Sequence, residues 1–113
     1  MTTIKLFATL RKIREFERLE LPFLKSLIDF DIIIEVGYAQ EQKQVLTPKQ
    51  LFLLKLGSLT TVRRRLAKLI GQGIVIARTN STDRRSAILT LAVPTHRLLA
   101  KYGKLFAAIS GPT

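Results

Sequence analysis

The sequence predicts a mainly α-helical domain with one small β-hairpin (α+β), and three observations carry this prediction. Apolar residues recur at helical spacing over most of the 113 residues. Two short runs rich in Ile, Val and Leu, residues 74–78 and 87–91, are typical of strands and enclose the polar run 79–86. A hydrophobic content of 47% is that of a folding chain, and residues 1–113 suffice for a single domain.

The whole chain has a formal net charge of +11, and its positive charge is concentrated in the second part of the sequence. Residues 1–41 carry six Lys or Arg and seven acids, whereas residues 42–113 carry thirteen Lys or Arg and one acid, Asp83. This asymmetry indicates a nearly neutral part for packing and a cationic part for a polyanion, either a nucleic acid or an acidic membrane surface.

The composition also narrows the function classes. The sequence has no cysteine, which excludes disulfides and thiolate metal sites. Its single histidine, His96, has neither an acid nor a cysteine beside it, so we expect no enzyme, no metal site and no cofactor. No apolar run approaches the roughly 20 residues of a membrane span, and no secretory leader is predicted. We expect a cytoplasmic, nucleoid-associated protein.

The first two helices are predicted at residues 3–19 and 22–42. The apolar side of the first is broad, and exposed charges of both signs accompany it. Pro22 suits the first position of the second helix, where its missing N–H costs nothing. This second helix is apolar on most sides and should be buried in the centre of the fold, and Gly37 is the residue at which it would bend or end.

A short third helix at residues 48–56 has a strong start signal. Thr47 as N-cap, Pro48 as first residue and Gln50 as third residue form a capping box. Gly57 then permits a tight turn into the next helix.

Residues 58–73 form the helix around which the chain is organised. Ser58 is a good N-cap, and Gly73 suits the left-handed position that ends helices. At about 100° per residue, apolar side chains collect on one side, and the segment contains no acid. Two helices joined by a short turn, the second one basic, give the helix-turn-helix pattern, which also occurs as plain helical packing. The predicted DNA contacts of this helix are Ser58, Thr60, Thr61, Arg63, Arg64, Arg65 and Lys68.

The hairpin that follows has a basic tip and would project as a wing. Pro94 ends the second strand and opens a last helix at residues 95–109. The flanking segments, residues 1–20 and 95–113, have more apolar surface than one small domain can cover, which predicts a symmetric homodimer.

Residues 45–92 resemble the MarR family of bacterial winged-helix transcriptional regulators. The matching motifs are L-T-x-x-Q-L at Leu46–Leu51, T-V-x-R at Thr61–Arg64, L-x-x-x-G-I-V at Leu69–Val75, and Arg78 followed by D-R-R-S at Asp83–Ser86. The chain departs from the family at Arg65, where an apolar residue is usual. It departs again at residues 92–94, where Ala-Val-Pro replaces a Thr and a Gly that opens a helix.

The resemblance implies a dimeric regulator of transcription that binds double-stranded DNA, with helix 58–72 in the major groove. Arg64 can pair with guanine, and the methyl groups of Thr60 and Thr61 can contact thymine. The phosphate contacts assigned to the same helix are Arg63, Arg65 and Lys68.

The resemblance also implies that the wing, residues 78–87, lies at the minor groove. Arg84 is the side chain expected to enter the groove, and Asp83 has a structural part in holding a wing arginine such as Arg85. The remaining wing contacts are Arg78, Asn80, Ser81 and Thr82. The sequence leaves open a small-molecule effector, and a winged-helix module that binds a protein partner or RNA is the alternative function. A membrane is disfavoured because the apolar side of the basic helix faces the core.

Overall fold

The computed structural model describes residues 6–79 and 87–110, and in this part of the chain it has five helices and a two-stranded hairpin. In chain order they are α1 (Leu6–Glu20), α2 (Leu27–Glu41), α3 (Pro48–Leu53), α4 (Leu59–Gly71), β1 (Val75–Thr79), β2 (Ala87–Leu91) and α5 (Val93–Ser110). This architecture confirms the predicted fold class, a mainly α winged helix-turn-helix with flanking helices.

The hydrophobic core lies between α2, α4 and the hairpin. Its buried side chains are Ile32, Ile33, Val36, Leu51, Val62, Leu66, Leu69, Val75, Leu89 and Leu91. The central, buried position of α2 is confirmed, since Ile32, Ile33 and Val36 are all 0% exposed. Ile and Val favour strands intrinsically, but burial on more than one side of α2 outweighs that preference here.

The second helix begins at Leu27 and not at Pro22, so the predicted start is wrong. Leu21 is 1% exposed, and its carbonyl accepts a backbone N–H from three residues further on at 3.1 Å, which makes a turn. Ser26 then caps α2, because its hydroxyl accepts the N–H of Asp29 at 3.3 Å. Proline suits both a turn and a first helical position, and in this chain Pro22 lies in the turn after α1.

Gly37 does not end α2, which continues to Glu41. A Cβ atom at Gly37 would lie 3.3 Å from Leu91 Cδ1. The glycine therefore allows β2 to pack closely against α2.

The capping box before α3 is confirmed. The Thr47 hydroxyl accepts the N–H of Gln50 at 3.2 Å, and the Gln50 Oε1 accepts the N–H of Thr47 at 2.9 Å. The helix is shorter than predicted, since it ends at Leu53.

The turn between α3 and α4 is made differently from the prediction. Lys55, with φ 55°, is the residue in the left-handed region. Gly57 matters for another reason, because a Cβ atom there would lie 2.8 Å from Ile28 Cδ1, so that the Ile28 side chain would have to shift. This close approach brings the turn against α2.

The hairpin is antiparallel, with Val75 opposite Leu91 and Thr79 opposite Ala87. The predicted end of α4 is confirmed, since Gly73 has φ +73°. The N–H of Leu89, in the middle of β2, donates to the Leu46 carbonyl at 2.8 Å, which ties β2 to the segment before α3.

The last helix starts two residues before the predicted residue 95, at Val93. Thr95 is 2% exposed, and its hydroxyl donates to the Ile74 carbonyl at 2.9 Å. This bond ties the start of α5 to the residue before β1, and α5 then continues to pack against α1.

Candidate nucleic-acid interface

The helix α4 presents its polar side to solvent, as predicted. Ser58 caps it, with its hydroxyl accepting the Thr61 N–H at 3.2 Å and donating to Thr61 Oγ1 at 2.8 Å. Its apolar side is buried through Val62, Leu66 and Leu69. The side chains that face solvent on α4 include Thr60, Arg63, Arg64 and Lys68, and Thr61 is half-buried.

Three of the cations predicted to bind DNA on α4 are exposed. The Arg63 guanidinium carbon lies 5.5 Å from the centre of the Phe52 ring, a cation–π contact that joins α4 to α3. Within the part of the chain that the structure describes, Arg64 and Lys68 form no ion pair. Their charges are therefore available to an external anion.

Arg65 is placed differently from its neighbours. Its Nε donates to Asp29 Oδ1 at 2.6 Å, and its Nη2 donates to Asp29 Oδ2 at 2.8 Å. The Arg65 side chain is 18% exposed and that of Asp29 is 0% exposed. The guanidinium is thus occupied within the protein, which argues against the phosphate contact predicted for Arg65.

The ion pair keeps the Asp29 carboxyl charged although it is buried. Burial raises the pKa of Asp29, but the Arg65 hydrogen bonds and charge, together with the Lys25 N–H, outweigh it and hold the pKa below its ordinary value. The same hydrogen bonds raise the pKa of Arg65. Both partners are charged at neutral pH, and Arg65 adds little to the outward positive charge of α4.

Of the predicted wing contacts, only Arg78 lies within the described residues. Arg78 is exposed on β1, opposite Ile88 of β2, one residue before the strand ends. The predicted tip contacts Asn80, Ser81, Thr82, Arg84 and Arg85, and the structural residue Asp83, lie outside the described residues. They stay predictions.

Asp29 was not predicted as a partner for α4. Two signals indicated the pair. Asp29 is an acid within an otherwise apolar helix, and Arg65 stands where the resembled family has an apolar residue. Buried charges are paired in proteins, so these two residues were candidates for each other.

The described residues also bear on three other kinds of partner, namely metal ions, membranes and small molecules. No group of three or more His, Cys, Asp or Glu residues there could hold a metal ion. No helix in that part of the chain has the length and apolar character needed to cross a membrane. A cavity of about 340 Å³ between α2, β2 and α5 is lined mainly by apolar side chains and includes His96. A small-molecule effector, which the sequence leaves open, would have a candidate place there.

Similarity to known proteins is found at the level of fold. No protein-family profile and no curated protein matches the sequence. A variant of MarR from E. coli, complexed with operator DNA, is 18% identical with a TM-score of 0.62, and the alignment covers 93% of this chain and 74% of that one. For the transcriptional regulator Tm0710 from Thermotoga maritima the identity is 16%, the coverages 95% and 78%, and the TM-score 0.64. BldR from Sulfolobus solfataricus is 21% identical with a TM-score of 0.57, and the alignment covers 97% of this chain and 83% of that one.

These likenesses confirm that the chain shares the fold of MarR-type transcriptional regulators, as the sequence motifs predicted. The fold and the exposed basic helix together define a winged helix-turn-helix protein with a cationic surface on α4.

Proposed function

We propose that this protein binds double-stranded DNA sequence-specifically and regulates transcription as a homodimer. The observation that carries the proposal is the cationic face of α4. Arg64 and Lys68 are exposed and form no ion pair within the described residues, while the opposite side of the helix is buried in the core. A helix that exposes cations without acids has the electrostatic footprint of a nucleic-acid-binding element.

In this proposal α4 lies in the major groove. Thr60 and Arg64 lie towards its N-terminal half, the part of a recognition helix that reaches base edges. Arg64 pairs with guanine, and Lys68 and Arg63 contact phosphates. A variant of MarR from E. coli, which has a similar fold, has been crystallised with operator DNA, and this supports the same class of partner here.

The wing is proposed to reach the minor groove. Arg78 is exposed on β1 near the end that leads to residues 80–86. A slim hairpin with cationic side chains is suited to a narrow, strongly negative groove. Arg84 and Arg85 are the proposed wing contacts, with Asp83 holding one of them.

The proposed homodimer uses the terminal helices. On α1, Phe7 is 78% exposed and Leu10 is 43% exposed. Large apolar side chains exposed on one helix favour burial against a second copy. A dimer presents two copies of α4, so its DNA site should contain two inverted half-sites. A protein that binds chromosomal DNA is located in the cytoplasm with the nucleoid, and we propose that location here.

Selection of bound duplexes from a random DNA library tests this function directly. We expect enrichment of a two-half-site sequence, and sedimentation at micromolar concentration should show a dimer. Absence of any enriched duplex would contradict sequence-specific DNA binding. Preferential binding of single-stranded or hairpin RNA of the same length would support the RNA alternative, and a monomer that covers one half-site would contradict the dimer.

A further inference from the structure

The buried carboxylate of Asp29 connects α4 to the chain segment between α1 and α2. Its Oδ1 accepts Arg65 Nε at 2.6 Å. Its Oδ2 accepts both Arg65 Nη2 and the backbone N–H of Lys25, each at 2.8 Å. The Asp29 N–H in turn donates to the Ser26 hydroxyl. One side chain thus holds the recognition helix and the corner before α2 at the same time.

The geometry of this pair constrains the direction in which α4 meets α2 as well as the distance between the two helices. Two parallel hydrogen bonds from the planar guanidinium determine the direction of the Arg65 side chain as well as its position. Leu66 and Leu69 pack on the core from the same helix. Apolar burial is non-directional, whereas a bidentate ion pair has a preferred direction.

A phosphate contact by Arg65 is incompatible with this arrangement. To reach DNA, the guanidinium would have to leave Asp29, which is 0% exposed. That would leave the buried carboxylate without its partner, which is a strongly unfavourable state.

We infer that Arg65 and Asp29 are a positioning pair, which sets the pose of α4 so that Arg64 and its neighbours meet the base edges, without contacting DNA themselves. This inference rests on the proposed function. It reassigns Arg65 from phosphate binding to the alignment of the recognition helix.

The two assignments predict opposite effects of Asp29→Asn. If Arg65 positions the helix, weakening the pair misaligns α4 and lowers affinity for the selected duplex by about tenfold, the size of one good base contact. Affinity for a random duplex of equal length should hardly change, and the salt slope should keep its wild-type value. If Arg65 contacts phosphate, Asp29→Asn lowers the cost of leaving the carboxylate, so that affinity rises for both duplexes, with the salt slope unchanged because the phosphate contact is made in both proteins.

Arg65→Lys is the second variant, because it keeps the charge and loses the bidentate fork. A phosphate contact tolerates this change, whereas a positioning pair loses preference for the selected duplex. Lys68→Met is the matched control from the exposed face of α4, and it should weaken both duplexes and reduce the salt slope by about 0.9. Circular dichroism at the assay temperature shows which variants are folded, and if Asp29→Asn is not, Arg65→Lys decides.

The outcomes separate this inference from the proposed function. A pair with a purely structural part would lower the melting temperature and leave the ratio of selected to random affinity unchanged in the folded protein. That result overturns the inference and leaves the proposed function standing. The same holds if Asp29→Asn binds DNA more tightly, or if Arg65→Lys keeps the wild-type preference for the selected duplex. A wild-type protein that prefers no duplex overturns the proposed function and the inference with it.

Discussion

The phenol of Tyr102 in α5 donates a 2.6 Å hydrogen bond to Glu17 Oε2 in α1, and Arg14 donates a 2.6 Å bond to the other carboxylate oxygen. Glu17 is 8% exposed, so its carboxylate oxygens bond to these partners more than to water. The rings of Phe16 and Phe30 contact the Tyr102 ring edge-on, with centroids 5.6 and 5.7 Å away. Burial, followed by the bond to Glu17, raises the pKa of Tyr102, which keeps the phenol protonated and able to donate.

Tyr102→Phe should destabilise the fold while keeping the ring contacts. The variant removes a hydrogen bond to a charged, nearly buried group, for which about 1.5 kcal/mol is typical. Urea unfolding should show a lower midpoint with an unchanged slope. Tyr38→Phe is the matched control, since Tyr38 is 56% exposed. This variant should have the same midpoint as the wild type. Equal midpoints for Tyr102→Phe and wild type would show that the bond contributes nothing net.

The Asp29–Arg65 pair predicts a loss of stability in acid. The pKa of Asp29 is lowered in the folded protein relative to its ordinary value of 3.8. A group with a depressed folded-state pKa contributes stability that is fully present above 3.8 and is lost as the pH falls below it. The free energy of unfolding of the wild type should therefore drop in this acid range. The drop should be smaller for Asp29→Asn, which has no carboxylate to protonate at this position. Parallel curves for the two proteins would contradict this assignment.

The two glycines at the end of α4 should respond oppositely to alanine. Neither Gly71 nor Gly73 has an atom within 4 Å of the place where a Cβ would stand, so only the backbone matters. Gly71 is the last residue of the helix, and Gly71→Ala should stabilise by about 0.5 kcal/mol. Gly73 has φ +73°, and Gly73→Ala should destabilise by about 1 kcal/mol. Thermal unfolding of the two variants side by side measures the difference, and shifts of the same sign would contradict the argument.

The elements that could be predicted from the sequence are those with local signals. The Thr47–Gln50 capping box, the Ser58 cap and the left-handed Gly73 all act within four residues, and each is confirmed. The start of the second helix was missed because the choice between a helix and a turn at Pro22 depends on the burial of Leu21, a tertiary effect.

The Asp29–Arg65 pair was not predicted for the same kind of reason. Its partner Asp29 is 36 positions away in the sequence. The helical period places Arg65 on the flank of α4, but only the packing of α2 against that flank decides whether the guanidinium meets a carboxylate or solvent. The exposed cations Arg64 and Lys68 could be predicted because the helical period alone turns them away from the core.

Arg64 and Lys68 should differ in what they contribute to DNA binding. Arg64→Ala should lower affinity for a selected duplex more than for random DNA, because it removes a contact to a base edge. Lys68→Ala should weaken both duplexes alike and reduce the salt slope by about one unit, because it removes a phosphate contact. Fluorescence anisotropy titrations at several salt concentrations measure both quantities. Equal losses on both duplexes for both variants would mean that the reading face of α4 is misplaced.

The last prediction separates a DNA regulator from a protein-binding module, and it concerns the wing. Interface hot spots for a protein partner are enriched in aromatic residues as well as Arg, and the run 79–86, TNSTDRRS, has no aromatic or large aliphatic residue. A minor groove needs only cationic side chains on a slim projection. The tip sequence therefore favours DNA.

The double variant Arg84→Ala/Arg85→Ala should leave the melting temperature nearly unchanged, since it removes two charged side chains and no apolar one. Its affinity for DNA should fall by about tenfold or more, equivalent to about 1.4 kcal/mol. The loss should be larger where A·T-rich sequence flanks the half-site, because that minor groove is narrower and more negative. Anisotropy titrations against duplexes with A·T-rich and G·C-rich flanks measure both effects. If the folded variant binds every duplex as the wild type does, the wing does not contact DNA, and the protein-binding alternative is favoured.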